Sequence, residues 1–192
     1  MTQSKDDAFL RELEELEGSS GIDALTSAAG AAPLAPVRGA RARLLQAAQP
    51  KGRLWRFADQ VADLLDVDLD RAHALLDSVD DLRRWEQLGP GISAYWVEGG
   101  PRVRDAVRGF VRVDAGLTFP HHEHLGDETA LILQGTYLDS ATGERFRPGD
   151  IARMEYGSEH AVVSPADGVD LLKLVVVFKG VRIGDHVHTA RS

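Results

Sequence analysis

Cysteine is absent from this chain of 192 residues. Disulfide bonds, cysteine-containing zinc sites and thiol catalysis are therefore excluded, and the composition agrees with a reducing compartment. No apolar run is long enough to span a bilayer, since the longest, residues 174–178, has the length of a buried strand. The N-terminus lacks a basic segment followed by an apolar one, so the sequence predicts no signal peptide and a cytoplasmic protein without a membrane partner.

Positive charge is also scarce. The chain has 22 lysine and arginine residues against 30 acidic residues, which gives a net charge of −8. A nonspecific nucleic-acid-binding protein needs a basic surface to neutralise phosphates, so we expect no direct contact with nucleic acid. An acidic protein of this kind can still bind a basic partner protein.

The N-terminal part of the sequence is predicted to be helical or flexible. Residues 1–17 are predicted to form a short acidic helix with one apolar stripe, which we expect to dock on its own domain, on a symmetry mate or on a partner protein. Residues 18–37 are rich in Gly, Ser, Ala and Pro, which predicts a flexible linker, and a short basic segment follows. Residues 54–86 carry two apolar stripes at helical spacing, and Asp68 is placed to cap the second helix. The predicted domains are a helix, linker and basic segment over 1–50, a helical region over 51–91 and a β domain over 92–192.

From Ile92 onward the sequence changes to short strands separated by turns that contain Gly, Pro or Asp. Regular short strands of this kind favour an antiparallel barrel or jelly roll. The fold class is therefore mainly β, with an α-helical N-terminal extension. The predicted strands are 93–98, 107–113, 118–124, 130–137, 150–155, 160–164 and 171–178.

Two histidine-containing segments carry the candidate chemistry. His122 and His124 are two residues apart, so both side chains point to the same face of a strand. Glu128 returns to that face after a short turn, and His160 comes from a later strand. Three imidazoles and a carboxylate suit a divalent transition metal, so we predict these four residues as metal ligands. His121 falls on the opposite face of its strand and is expected near the surface or behind the ligands.

These residues resemble the two conserved motifs of the cupin superfamily. The resemblance covers roughly residues 92–180. It implies a cupin-type antiparallel β-barrel with the same four ligands and, by analogy with other cupins, a homodimer. The first motif is matched at every fixed position by Gly116, His122, His124, Glu128 and Gly135. The second is matched by Gly149, Gly157 and His160, and it departs at Glu155, where the family has proline, and at Ser164, where the family has asparagine.

Among cupins, the segments 119–128, 133–139, 148–150 and 157–160 resemble the ChrR type most closely. That cupin forms the C-terminal half of zinc-dependent anti-sigma factors that respond to oxidants such as singlet oxygen. The resemblance implies zinc, with iron, manganese or nickel as alternatives, and a sigma factor or another regulator bound through the N-terminal helices. The family's N-terminal zinc site needs two cysteines, which this chain lacks.

The sequence leaves two functions open. The first is a regulatory cupin of ChrR type, a sensor that responds to an oxidant or to a small-molecule ligand in the barrel. The second is a metal-dependent dioxygenase, with iron or manganese, that acts on a small carbonyl compound and resembles the small cupin diketone dioxygenases. Strand alternation places Ala130, Ile132 and Gln134 on the face of Glu128, which predicts a mostly apolar cavity. No acid/base pair is evident there, so we assign no catalytic residue and the question of enzymatic activity stays open.

Overall fold

Two short helices precede the strands in the structure, a computed structural model that describes residues 52–189. Helix α1 is Ala58–Leu65 and helix α2 is Leu69–Ser78. The chain leaves α1 through Asp66 in the left-handed conformation, and the Asp68 carboxylate then accepts a hydrogen bond of 2.7 Å from the Arg71 backbone N–H. This confirms Asp68 as the predicted cap, since a side-chain acceptor satisfies a free N–H of the first turn. Single 3-10 turns lie at Trp55–Phe57, Leu82–Arg84 and Pro101–Val103.

Twelve strands of the described residues form two antiparallel sheets of six strands each. The first sheet has the order β1-β2-β3-β10-β5-β8 and the second has the order β12-β11-β4-β9-β6-β7. The predicted fold class, mainly β with an antiparallel cupin-type barrel, is confirmed. The strands of the first sheet are β1 Glu86–Gly89, β2 Ile92–Trp96, β3 Ala106–Val113, β5 Glu128–Gln134, β8 Ile151–Met154 and β10 Leu171–Phe178. Those of the second are β4 Thr118–His124, β6 Tyr137–Asp139, β7 Arg145–Phe146, β9 Glu159–Val163, β11 Val181–Ile183 and β12 His186–His188.

The central strands of the first sheet, β3, β5 and β10, are buried on both faces. The inner face of this sheet packs against the second sheet, and its outer face packs against the two helices, with Val61 and Leu65 of α1 completely buried. Strand β10 shows why this requires an almost continuous apolar run. Leu171, Val175 and Val177 belong to the inner cluster, whereas Leu172, Leu174 and Val176 belong to the outer one. Each face of the pleat therefore has its own apolar neighbours, and the predicted buried strand is confirmed.

One predicted strand proves to be two. The segment 130–137 splits into the end of β5 and the start of β6, which belong to different sheets. Gly135 makes the turn with φ of 72°. A Cβ atom there would lie 2.6 Å from the Asp170 carbonyl oxygen, so only glycine fits. Apolar alternation alone does not reveal this break.

The described residues cover only some of the remaining predictions from the sequence. The predicted acidic helix, linker and basic segment lie outside the described residues. Strand structure begins at Glu86, before Ile92, because the glycine-rich turn around Gly91 joins β1 to β2. The domain boundaries themselves remain a prediction. No helix in the described part of the chain is long and apolar enough to cross a membrane.

Candidate metal centre

The four predicted ligands come from three strands and from both sheets. His122 and His124 lie on β4, His160 lies on β9 and Glu128 is the first residue of β5. Strands β4 and β9 are hydrogen-bonded neighbours, and their register sets His122 directly opposite His160. The barrel topology thus brings together residues that are far apart in sequence.

A bulge in β4 helps to aim the first histidine. The register of β4 against β9 shifts between Phe119 and His122, where Pro120 supplies no backbone donor to the ladder. The freed Pro120 carbonyl oxygen lies 2.9 Å from His122 Nδ1, and the Phe119 ring packs edge-on against the imidazole at 5.3 Å between centroids. The bulge therefore fixes the ring orientation of His122.

The three imidazoles converge. Their ring centroids lie 4.6–4.9 Å apart, and one nitrogen of each ring lies within 4.8 Å of the others. The Nε2 atoms of His122 and His160 approach to 3.2 Å. Among the described residues, these three histidines form a group with the spacing of a metal site.

Hydrogen bonds to protein acceptors select the tautomer of each ring. His122 Nδ1 faces the Pro120 carbonyl at 2.9 Å, and His124 Nδ1 faces the carbonyl and hydroxyl oxygens of Ser158, both at 3.1 Å. His160 Nδ1 faces a carboxylate oxygen of Asp139 at 2.5 Å. A neutral imidazole that donates from Nδ1 has a lone pair on Nε2. The Nε2 lone pairs of His122 and His160 therefore point into one small space, whereas His124 Nε2 faces the Glu128 carboxylate at 3.1 Å.

Burial favours the neutral form of two of the imidazoles. It lowers the pKa of His122 to about 4, an effect that the Pro120 hydrogen bond opposes only in part. Burial likewise lowers the pKa of His160, against the opposing influence of Asp139. Neutral imidazole is the form that binds metals, so these two rings need not lose a proton at neutral pH.

Asp139 supports the site from behind His160, and sequence reasoning missed it. The Tyr137 hydroxyl donates to its carboxylate at 3.3 Å, and the backbone N–H groups of Ala141 and Thr142 donate at 2.8 and 2.9 Å. Burial alone would raise the pKa of Asp139, but the hydrogen bonds from His160 and from these N–H groups outweigh it and lower the pKa to about 2. The carboxylate is therefore ionised and holds the His160 ring, as in carboxylate–histidine–metal sites. The only sequence signal was the turn that begins at this aspartate.

Glu128 has a partner that the sequence did not suggest. One carboxylate oxygen, Oε2, lies 3.1 Å from His124 Nε2, and the other, Oε1, lies 3.2 Å from the Lys173 ammonium. Burial alone would raise the pKa of Glu128, but Lys173 and then His124 outweigh it and lower the pKa. Glu128 is thus a buried carboxylate at the edge of the histidine group.

The site is closed to solvent in this conformation. The exposed fractions of His122, His124, Glu128 and His160 are 3%, 0%, 3% and 2%. Any small molecule that approaches the four residues must therefore displace the surrounding side chains.

The other candidate residues fall into two groups. Ala130, Ile132 and Val162 line the inner core as predicted, so the interior around the site is mostly apolar. Gln134 does not join them, because the register of β5 against β10 shifts after Ile132 and the Gln134 carboxamide oxygen instead accepts a hydrogen bond of 2.9 Å from Arg53. His121 is exposed, as are the histidines of the C-terminal strand, His186 and His188.

The amino-acid sequence also matches known proteins. The family model described as the ChrR cupin-like domain matches residues 77–189, more than half of the chain. The anti-sigma-E factor ChrR of Cereibacter sphaeroides is 34% identical over 92 residues, which are 47% of this chain and 40% of that protein. The chain therefore covers well under half of that relative.

Two solved structures illustrate the similarity of fold. A chain in the crystal structure of Rhodobacter sphaeroides SigE in complex with the anti-sigma ChrR matches with a TM-score of 0.50 and 24% identity, over 88% of this chain and 82% of that chain. The acetylacetone dioxygenase from Acinetobacter johnsonii matches with a TM-score of 0.46 and 12% identity, over 56% and 79% of the two chains. At these identities the structural matches concern the fold alone.

Proposed function

The chain belongs to the ChrR cupin-like family, and on that premise we propose that it is a metal-binding regulatory cupin that responds to an oxidant or a small molecule. Its barrel binds one divalent transition metal through His122, His124 and His160, with Glu128 as the fourth ligand. The observation that carries the proposal is the convergence of three buried imidazoles, each with its Nδ1 atom facing a protein oxygen.

We favour zinc as the metal. Three imidazoles and one carboxylate complete a tetrahedral set, the geometry that zinc adopts in closed structural sites. The metal would supply a link between the sheets, because its ligands lie on β4 and β9 of one sheet and on β5 of the other.

Strand β5 offers a route from the metal site to the helices. Glu128 at its start belongs to the candidate site, whereas Leu131 and Leu133 further along the strand pack in the cluster that contains Val61 and Leu65 of α1. A change in the ligation of Glu128 therefore alters a strand whose other face supports the helical region. We propose that this contact transmits the signal.

The regulatory function is favoured over the dioxygenase that the sequence left open. A dioxygenase must admit a substrate and dioxygen to the metal, whereas the four ligand side chains are at most 3% exposed. A closed site of this kind suits a metal that stabilises or reports rather than one that turns over substrate.

Metal content is the direct test. We expect mass spectrometry of the full chain, purified without chelator, to find about one zinc per chain. The His122→Ala variant should lose the metal, and His121→Ala, which changes an exposed histidine next to it, should keep it. Bound iron or manganese would favour the dioxygenase and would call for an oxygen-uptake measurement with a small diketone. Absence of metal from the wild-type protein would contradict the proposal.

We propose a sigma factor as the protein partner, as the named complex of the relative suggests. Because the chain has no cysteine, contact must be made without a cysteine-containing zinc site. Affinity capture with the full chain should recover a sigma factor, and recovery should decrease when Leu69 of α2, 44% exposed, is changed to glutamate. The matched control is Val169→Glu, at a residue of the barrel domain that is 45% exposed. If the full chain captures no sigma factor, this part of the proposal is contradicted.

The predicted homodimer is a separate prediction. Light scattering of the purified chain, which measures its molar mass in solution, tests it.

A further inference from the structure

Lys173 interrupts the apolar inner row of β10. Its neighbours two residues away, Leu171 and Val175, belong to the core between the sheets, as do its cross-strand partners Val111 on β3 and Ile132 on β5. Residues opposite each other in a sheet share a face, so the lysine side chain points into the barrel. It is 4% exposed.

The Lys173 ammonium has a defined place in this interior. Its Nζ lies 3.2 Å from Glu128 Oε1 and 5.2 Å from the centre of the Tyr137 ring. Both partners of the ion pair are almost completely buried. A buried ammonium is costly unless it is paired, and so is a buried carboxylate. In the metal-free protein, Lys173 and Glu128 therefore neutralise each other.

The pairing also limits Glu128 as a ligand. The nitrogens of the three histidines form a group within 4.8 Å of one another that does not include a Glu128 oxygen. The carboxylate instead spans Lys173 and His124. A metal held by the histidines must share this carboxylate with a cation that is already bound to it.

We propose that Lys173 is an internal counter-cation of the metal site, which holds Glu128 in the metal-free protein and competes with the metal for that carboxylate. The inference rests on the metal binding proposed above. Two positive charges in one buried pocket repel each other more strongly than they would in water. Lys173 thus stabilises the metal-free barrel, weakens metal binding and makes loading reversible, which suits a regulatory site.

The test compares zinc affinity and metal-free stability in the full chain. Zinc affinity is measured by competition with a chromophoric chelator, and stability is measured as the urea midpoint in EDTA. Lys173→Met should bind zinc about tenfold more tightly or better, because removal of the ammonium removes the repulsion. The same variant should have a lower urea midpoint without metal, because the buried Glu128 loses its ammonium partner. Lys179→Met, which changes the other lysine of the described residues, should alter neither quantity.

A double variant separates competition from a general packing effect. Lys173→Met combined with Glu128→Gln removes both charges, so it should recover most of the lost urea midpoint. The gain in zinc affinity on removing Lys173 should be smaller in the Glu128→Gln background than in the wild type. Lys173→Arg, which keeps the charge, should stay close to the wild-type affinity.

The outcomes separate this inference from the proposed function. If the wild type binds zinc and Lys173→Met binds it equally or less tightly, the competition is wrong while the metal site stands. A gain of equal size in both Glu128 backgrounds would also overturn the competition for the carboxylate. If the wild type and the variants bind no metal, the proposed function and this inference both fail.

Discussion

At the scale of single residues, the candidate site depends on groups that are not ligands. Each imidazole has its Nδ1 atom next to a protein oxygen, and its Nε2 atom faces another of the candidate ligands. The acceptors differ in strength, since two are backbone carbonyls and one is the ionised carboxylate of Asp139. A charged acceptor makes the stronger hydrogen bond and raises the basicity of the ring it holds.

Asp139→Asn should therefore weaken zinc binding by about 10- to 100-fold, the usual effect of losing a partner behind a histidine ligand. The amide keeps the shape of the side chain but removes its charge. The control is Asp105→Asn, which changes an exposed aspartate outside the site. Affinity from competition with a chelator measures the effect, and an unchanged value for Asp139→Asn would show that Asp139 serves only the turn at Ala141 and Thr142.

The sequence predicted the candidate ligands more completely than the groups around them. Histidines two apart on a strand share one face, so His122, His124 and His160 could be predicted as one group from spacing and from the cupin motifs. Lys173 and Asp139 were not found, because their role depends on which strands are neighbours in space. Lys173 stands in an apolar run where a sequence pattern offers no reason for a charge.

At the scale of secondary-structure elements, two strands agree with the predicted bounds and others shift. The predicted strands 118–124 and 171–178 match β4 and β10. The error at 130–137 has a physical cause, since a left-handed glycine redirects the chain to the other sheet at Gly135. The wrong prediction that Gln134 lines the cavity has a different cause. The register of β5 against β10 shifts beside Lys173, and no residue pattern in the sequence predicts this shift.

Gly135→Ala should destabilise the protein more than Gly143→Ala. Both glycines have nearly the same φ, 72° and 73°, so both variants bear the cost of a left-handed non-glycine residue, about 1–2 kcal/mol. Only at Gly135 would the new Cβ meet backbone, at 2.6 Å from the Asp170 carbonyl oxygen, whereas nothing lies within 4 Å at Gly143. The free energy of unfolding from urea titration measures the difference. If both variants lose the same free energy of unfolding, the backbone at Asp170 moves to accommodate the new Cβ atom. Glycine would then be required at position 135 only for its left-handed backbone conformation.

At the scale of the whole molecule, the described helices share a hydrophobic cluster with the first sheet. Strand β5 contributes side chains to both the inner and outer clusters, and Arg53 pairs with Asp80 while it also binds Gln134 at the end of that strand. The predicted division at residues 91 and 92 therefore separates segments that share one hydrophobic cluster. This shared cluster is the contact through which the proposed signal would pass.

Shared packing implies one cooperative unfolding transition, which a matched pair of leucine variants tests. Leu65→Ala creates a cavity at a completely buried position between α1 and the first sheet, and it should lower the free energy of unfolding by about 2–5 kcal/mol. Leu69→Ala, at a residue that is 44% exposed, should cost well under half of that. Far-UV circular dichroism and tryptophan fluorescence should report the same midpoint for each variant, since Trp55 and Trp85 lie in the helical region and Trp96 lies on β2. If Leu65→Ala instead separates the two signals into an early and a late transition, the helices form an independent domain, and a signal from the metal site would need another route to them.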